Sequence, residues 1–150
     1  MNKSWIANGF TAANALFGGL SIMMSISGEY HVAAICILIA MAADAFDGRV
    51  ARALGTAGPM GVELDSLSDD ISFGVAAGAL MYSYQLRELG ALGFIPCALL
   101  GAFCAFRLAR FNVKVTSVHG YFEGLPCPTV GVIIACYVLS GVKILSLIHI

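Results

Sequence analysis

The amino-acid sequence predicts an all-α bundle of helices that cross a membrane. Hydrophobic residues make up 59% of the 150 residues and charged residues only 11%, whereas soluble domains are about 45–50% apolar and about 25% charged. The mean hydropathy is +0.89, and the apolar runs approach the roughly 20 residues that a helix needs to cross a hydrocarbon core. A soluble fold is excluded because too few polar residues remain to cover so large an apolar core.

Five apolar segments are predicted as membrane spans, and polar or glycine-containing turns separate them. The first span carries no charged residue, and the second continues as a helix through two aspartates. A Gly-Pro loop over residues 55–61 precedes the third span, which begins near Glu63 or Leu64, and a longer polar loop over 112–128 precedes the fifth. The predicted spans are 10–27, 32–54, 64–84, 91–111 and 129–142.

The C-terminal segment is shorter than the predicted spans: residues 144–150 are apolar again, and no polar segment follows them in the sequence. Seven residues are too short to cross a bilayer. We therefore expect five spans and a truncated sixth, within a single membrane domain over residues 1–150 that is incomplete at its C-terminus.

The distribution of lysine and arginine predicts the orientation of the bundle. Six of these residues fall on one side of the predicted topology and two, Arg87 and Lys143, on the other. By the positive-inside rule the larger group faces the cytoplasm, together with the acidic motif described next. The larger group is Lys3, Arg49, Arg52, Arg107, Arg110 and Lys114.

Charge and cysteine content exclude other functional classes. The net charge of −1 gives no basic surface for nucleic acid. The five cysteines are scattered without CxxC spacing, so we expect reduced, buried thiols and neither a zinc site nor a disulfide framework.

Acidic residues are concentrated between residues 44 and 70, where six of the nine lie. Asp44 and Asp47 are three apart and share one helix face, and Asp65 and Asp69 are four apart and share a face of the next helix. The intervening loop makes the two helices antiparallel neighbours, so the four carboxylates are predicted to converge. Carboxylates in an apolar setting are costly and usually functional.

Four carboxylates without histidine or cysteine are hard oxygen ligands. They favour Mg²⁺, Mn²⁺ or Ca²⁺ over zinc. Two divalent ions would neutralise the four aspartates and attract a phosphate-bearing substrate, and such a pair can act in a displacement at phosphorus.

Small residues and one arginine lie beside these aspartates. Gly48 and Gly61 leave room for a ligand, and Arg52 is placed to meet a phosphate. The alternative is that the glycines serve only helix packing and that Arg52 is a cytoplasmic anchor.

The pattern D-x2-D-G-x2-A-R-x8-G-x3-D-x3-D, from Asp44 to Asp69, resembles the signature of the CDP-alcohol phosphatidyltransferases, and every fixed position is matched. The resemblance implies six transmembrane helices, a homodimer, and transfer of a phosphatidyl-type group from a CDP-linked donor to an alcohol with release of CMP. It implies that Asp44, Asp47, Asp65 and Asp69 bind two Mg²⁺ or Mn²⁺ ions and that Asp69 is also the catalytic base. Gly48, Arg52 and Gly61 would line the CDP site.

The start of the first span adds three polar residues, Asn8, Thr11 and Asn14, at spacings of three. They are candidates to bind the nucleotide, or they cap the helix and hold helices together. The segment is similar to the family's P-N-x2-T-x2-N element, with Ala7 where proline is usual.

Three further segments resemble the phosphatidylserine synthase branch of the family: residues 64–76, 107–112 and 122–128. Asp70 departs from this branch, where that position is usually apolar, and Ala77 replaces a common proline. For a serine acceptor, Arg107 and Arg110 are candidates to hold the carboxylate, with Asn112 as a weaker one. The arginines are alternatively membrane anchors or contacts for the donor's phosphates.

The sequence predicts an integral membrane protein with its site facing the cytoplasm and without a nucleic-acid partner, and the resemblance implies an enzyme that uses CDP-diacylglycerol and L-serine. The close alternative is the same chemistry with glycerol 3-phosphate or an inositol phosphate. From another class, a cation transporter would use membrane carboxylates as its ion path.

Overall fold

The computed structural model describes residues 4–55, 58–114 and 125–142, and these residues form helices and turns without a strand. The predicted all-α fold class is confirmed. The elements in chain order are α1 (Ser4–Ile26), α2 (Tyr30–Leu54), α3 (Pro59–Asp69), a π-helical segment (Asp70–Val75), α4 (Ala76–Tyr84), a 3₁₀ turn (Leu86–Leu89), α5 (Ala91–Lys114) and α6 (Cys127–Leu139).

Three helices are long and apolar enough to cross a membrane: Asn8–Ile26, Tyr30–Ala53 and Ala91–Val113. On α5 the large apolar side chains point outward, as Leu92, Phe103 and Phe106 show with exposed fractions of 73%, 67% and 76%. Such an apolar outer surface is expected where lipid replaces water as the solvent. The chain is an integral membrane protein.

A central helix, made of α3, the π segment and α4 (Pro59–Tyr84), lies in the middle of the bundle. Its π segment packs against α1, α2, α5 and α6, and Phe73 and Leu80 are fully buried with Ile37 of α2 and Val138 of α6. Close packing there depends on glycine. A Cβ on Gly131 of α6 would lie 2.7 Å from Cδ1 of Phe73 and 3.2 Å from its Cα.

The central helix begins earlier than the sequence predicted. It starts at Pro59, not at Glu63 or Leu64, because proline at the first helical position has a backbone angle that suits a helix start. The predicted loop over 55–61 is correspondingly shorter. It opens with Gly55, whose φ of +62° ends α2 in a left-handed turn.

The π segment was not predicted. It widens the central helix from Asp70 to Val75, directly after Asp69. Parts of the predicted loop over 112–128 and the short apolar tail after Lys143 lie outside the described residues.

Candidate metal centre and nucleotide cavity

Three of the four predicted metal ligands come together where α2 lies beside α3. Asp44, Asp47 and Asp65 each offer a carboxylate oxygen, and these oxygens all lie within 4.8 Å of one another. Asp69, one turn beyond Asp65, is not part of this group, but its carboxyl is within hydrogen-bonding range of Asp44. The four carboxylates are thus neighbours, as the sequence predicted.

The donor set fits a hard divalent cation. Oxygen ligands bind Mg²⁺ at about 2.1 Å and Ca²⁺ at about 2.3–2.6 Å, so two oxygens on one ion are up to about 4–5 Å apart. Oδ1 of Asp65 is buried and has no hydrogen-bond partner, as expected of an oxygen that is a cation ligand. Among the described residues, no lysine, arginine or histidine forms an ion pair with these aspartates, so no side-chain cation balances their charge.

Helix α1 orients two of the aspartates through the polar residues at its start. Oγ1 of Thr11 donates a hydrogen bond of 2.7 Å to Oδ2 of Asp47, and Nδ2 of Asn14 donates one of 3.1 Å to Oδ1 of Asp69. Asn14 is itself fixed, since Oγ of Ser72 in the π segment donates to its backbone carbonyl at 2.9 Å. The bonds of Asn14 with Asp69 and Ser72 hold α1 against the central helix at the site.

A cavity of about 200 Å³ opens next to the carboxylates, between α1, α2 and the start of α3. Five of the six residues predicted to bind CDP line it. Asn14 does not line it, because it is fully buried against Asp69. The lining residues are Asn8, Thr11, Asp47, Gly48, Ala51, Arg52, Gly58, Gly61, Val62 and Asp65.

Gly48 and Gly61 have open space where a side chain would begin. A Cβ on Gly48 would meet only the guanidinium nitrogens of Arg52, at 3.9 Å, and one on Gly61 only Oδ1 of Asn8, at 4.0 Å. Helix packing among the described residues therefore does not require glycine at either position. Both glycines widen the cavity, which favours the ligand-binding interpretation over packing.

We expect Gly61→Ala to weaken binding of a CDP-containing ligand by about tenfold while leaving the thermal stability nearly unchanged, because the added methyl group takes up cavity space without a clash. The matched control is Gly131→Ala, whose methyl group would collide with Phe73, and overpacking of this kind costs about 1–3 kcal/mol. Ligand titration and thermal unfolding of both purified variants measure the contrast. Equal loss of stability in the two would contradict the assignment.

The three predicted acceptor-pocket residues occupy different surroundings. Arg107 is half-buried, and its Nη1 donates to Sγ of Cys127 at 3.6 Å. Arg110 is exposed. Nδ2 of Asn112 donates to Oγ of Ser66 at 3.0 Å, and so ties α5 to α3. The structure does not bring these three into one pocket, and their role remains a prediction.

Two functional features were not singled out from the sequence. Ser72 fixes Asn14, but a serine in an apolar helix carries no signal of its partner. Asn14 was placed in the nucleotide site because it follows Asn8 and Thr11 at helical spacing, whereas its contact is with Asp69. In both cases the information lies in how α1 packs on the central helix.

Comparison with known proteins agrees with this geometry. The family model described as CDP-alcohol phosphatidyltransferase matches residues 4–149. No solved structure gives a significant match.

Curated relatives carry related names. A protein of Helicobacter pylori (strain 26695) named CDP-diacylglycerol–serine O-phosphatidyltransferase is 38% identical over 91% of this chain and 58% of its own length. The archaetidylserine synthase of Methanothermobacter thermautotrophicus is 40% identical over 85% of this chain and 55% of its own. A Bacillus subtilis protein with the same name as the Helicobacter protein is 38% identical over 81% of this chain and 68% of its own length.

The chain thus spans just over half the length of the Helicobacter and Methanothermobacter relatives. The family match covers nearly all of the chain, and it includes both helices that carry the aspartates and the helix that orients them. The chain belongs to the CDP-alcohol phosphatidyltransferase family.

Proposed function

We propose that the protein transfers the phosphatidyl group of CDP-diacylglycerol to L-serine, which yields phosphatidylserine and CMP. The observation that carries the proposal is the carboxylate group of Asp44, Asp47 and Asp65 at the edge of a cavity lined by Gly48 and Arg52. This pairing suits a nucleotide diphosphate beside a divalent cation. The choice of serine rests on the names of the relatives, which span bacteria, archaea and yeast.

The cavity is the proposed site of the cytidine diphosphate part of the donor. Gly48 and Gly61 leave room for it, Asn8 and Thr11 offer polar contacts, and the guanidinium of Arg52 pairs with a phosphate. The lipid chains of the donor would leave the cavity towards the membrane.

Asp69 is the proposed base. Its carboxylate takes the proton of the serine hydroxyl as that oxygen attacks the lipid-linked phosphorus, and the bond from this phosphorus to the CMP oxygen breaks. The hydrogen bond from Asn14 holds the Asp69 carboxylate in place, so that little reorganisation is needed during the transfer. The exposed fraction of Asp69 is only 8%, which keeps bulk water away from the base.

We propose that two cations, Mg²⁺ or Mn²⁺, complete the site. Asp44, Asp47 and Asp65 would hold one, and Asp69 would hold the second with Asp44 and Asp65. When bound, such ions neutralise diphosphate charge and favour departure of CMP.

Two further properties belong to the proposal. The excess of lysine and arginine on one side supports a site that faces the cytoplasm. A homodimer is supported by the resemblance to the family, and the apolar outer surface of α5 is available either to lipid or to a second copy.

An assay of purified membranes with CDP-diacylglycerol and a panel of alcohols tests the function. We expect CMP release and lipid product to depend on L-serine and not on glycerol 3-phosphate or an inositol phosphate, because no cluster of basic side chains that would bind a second phosphate lies among the described residues of the site. Serine-independent CMP release with a phosphorylated acceptor would overturn the choice of serine. If no alcohol in the panel led to CMP release, transfer of the phosphatidyl group would be overturned. Cation transport would then be the function to test.

A further inference from the structure

Two thiols meet where α5 packs against α6, at Cys104 and Cys127. Both side chains are buried, with exposed fractions of 7% and 5%. Their sulfur atoms are in hydrogen-bonding range of each other, and Sγ of Cys127 also lies 3.9 Å from the backbone carbonyl oxygen of Cys104. We call Cys104 and Cys127 the thiol pair. Neither thiol takes part in the proposed reaction.

The position of the thiol pair suits a covalent bond between the two helices. Sγ of Cys127 reaches both the sulfur and the backbone of Cys104, so a small rotation of its side chain brings the sulfurs to the disulfide bond length of about 2.05 Å. Cys104 is held in place by close packing, since a Cβ on Gly74 would lie 3.1 Å from its Cβ. Its sulfur therefore stays within reach of Cys127.

Cys127 lies in electropositive surroundings, which make a thiol reactive. Nη1 of Arg107 is 3.6 Å from its sulfur. Cys127 is also the first residue of α6, after Pro126 at the N-cap, where the helix dipole is positive. A neighbouring cation and a helix N-terminus both favour the thiolate, which is the form that attacks an oxidant. Cys127 is thus placed as the attacking thiol and Cys104 as the second one.

The start of α6 gives access to this sulfur. Leu125 and Pro126, directly before Cys127, are both exposed, Leu125 by 66%. The thiol pair itself is buried, which favours a small oxidant over a bulky one. Hydrogen peroxide has the size and the chemistry that this arrangement admits.

We propose that Cys104 and Cys127 form a reversible disulfide, a redox-sensitive modification site that links α5 to α6. The oxidant is hydrogen peroxide. The sulfur of Cys127 attacks one peroxide oxygen, the O–O bond breaks, and the other oxygen leaves as water with the thiol proton. Cys104 then attacks the sulfur of the resulting sulfenic acid, the S–O bond breaks, and a second water leaves. Two thiols are oxidised, and one peroxide is reduced to two waters.

This modification is separate from the proposed reaction and does not depend on it. Thiol–disulfide exchange with a small thiol reverses it, as is typical of disulfides in a reducing compartment, where they are transient and sense oxidants. While it lasts, the bond closes the chain between α5 and α6. It thereby lowers the entropy of the unfolded state and stabilises the bundle.

Peptide mapping of the purified wild-type protein in detergent tests the proposal and needs no variant to fold. Reduced protein is treated with hydrogen peroxide, and its remaining thiols are alkylated. We expect one disulfide between Cys104 and Cys127 within a chain, loss of the mass of two hydrogen atoms, and full reversal by dithiothreitol. The oxidised protein should unfold several degrees above the reduced one. Only higher oxides of single thiols, or only bonds between copies through the exposed Cys136, would overturn the proposal.

Variants identify the role of each group. Cys127→Ser should abolish both the disulfide and the thermal shift, whereas the matched control Cys97→Ser, two turns before Cys104 on the same helix, should keep both. Arg107→Gln should slow disulfide formation by about tenfold because it removes the charge that favours the thiolate, and Arg107→Lys should restore most of the rate. A thermal shift that persists in Cys127→Ser, or an unchanged rate in Arg107→Gln, would contradict the proposal.

Discussion

Replacing Asp69 by asparagine is expected to lower kcat for transfer to serine by about a hundredfold to ten-thousandfold, the range that a positioned general base contributes. The asparagine amide keeps the size of the side chain but cannot take the hydroxyl proton. Because the cavity and the carboxylates of Asp44, Asp47 and Asp65 stay intact, binding of the CDP-containing donor should weaken much less than kcat falls. Steady-state kinetics in membranes, with donor binding measured separately, give the result.

The neighbouring variant Asp70→Asn is the matched control for this prediction, since it makes the same chemical change one residue away. Asp69→Asn should lower kcat, whereas Asp70→Asn should leave kcat within about threefold of wild type, because Asp70 is not among the carboxylates that converge for a cation; this contrast separates loss of the base from loss of a negative charge at this point of the helix. An Asp69→Asn enzyme with a kcat within threefold of wild type would remove Asp69 from the mechanism.

Divalent cations are expected to stabilise the protein, and this effect should largely disappear when one carboxylate is neutralised. Asp44, Asp47 and Asp65 repel one another without a cation, so a chelator should lower the melting temperature of the wild type. A cation at a hundred times its Kd would stabilise the folded state by about 2.7 kcal/mol. In Asp65→Asn, chelator should have little effect, and the variant should be at least as stable as the wild type when cations are absent.

Thermal unfolding of purified protein in detergent, with Mg²⁺ or Mn²⁺ titrated after chelation, measures this prediction without an activity assay. Glu88→Gln should retain the full cation-dependent shift, since it leaves the site intact. A wild-type melting temperature that is indifferent to both ions at millimolar concentration would contradict a metal centre at these aspartates.

The fold class and the meeting of the four aspartates were accessible from sequence because both depend on local periodicity. Apolar length indicates a spanning helix. Spacings of three and four place Asp44 with Asp47 and Asp65 with Asp69, and a short loop forces the two helices to be neighbours. The open space at Gly48 and Gly61 agrees with the expectation that they make room for a ligand.

The remaining features depend on contacts between segments that are distant in sequence. Asn14 meets Asp69 across 55 positions, and Ser72 meets Asn14 across 58. No periodicity within one helix encodes such pairs. The π segment was also missed, because the wider turn from Asp70 to Val75 follows from how the central helix packs against four others and not from a local sequence preference.

The position of the central helix has a consequence for the stereochemistry of the reaction. The cavity lies on its α1 and α2 side, and Asp69, the proposed base, faces Asn14 of α1. In the proposed reaction the serine oxygen attacks the phosphorus while the bond to CMP breaks, so one direct displacement is sufficient and no covalent enzyme intermediate is required. Under the proposed mechanism, the phosphorus atom would exchange CMP for serine from the opposite face, with inversion of its configuration.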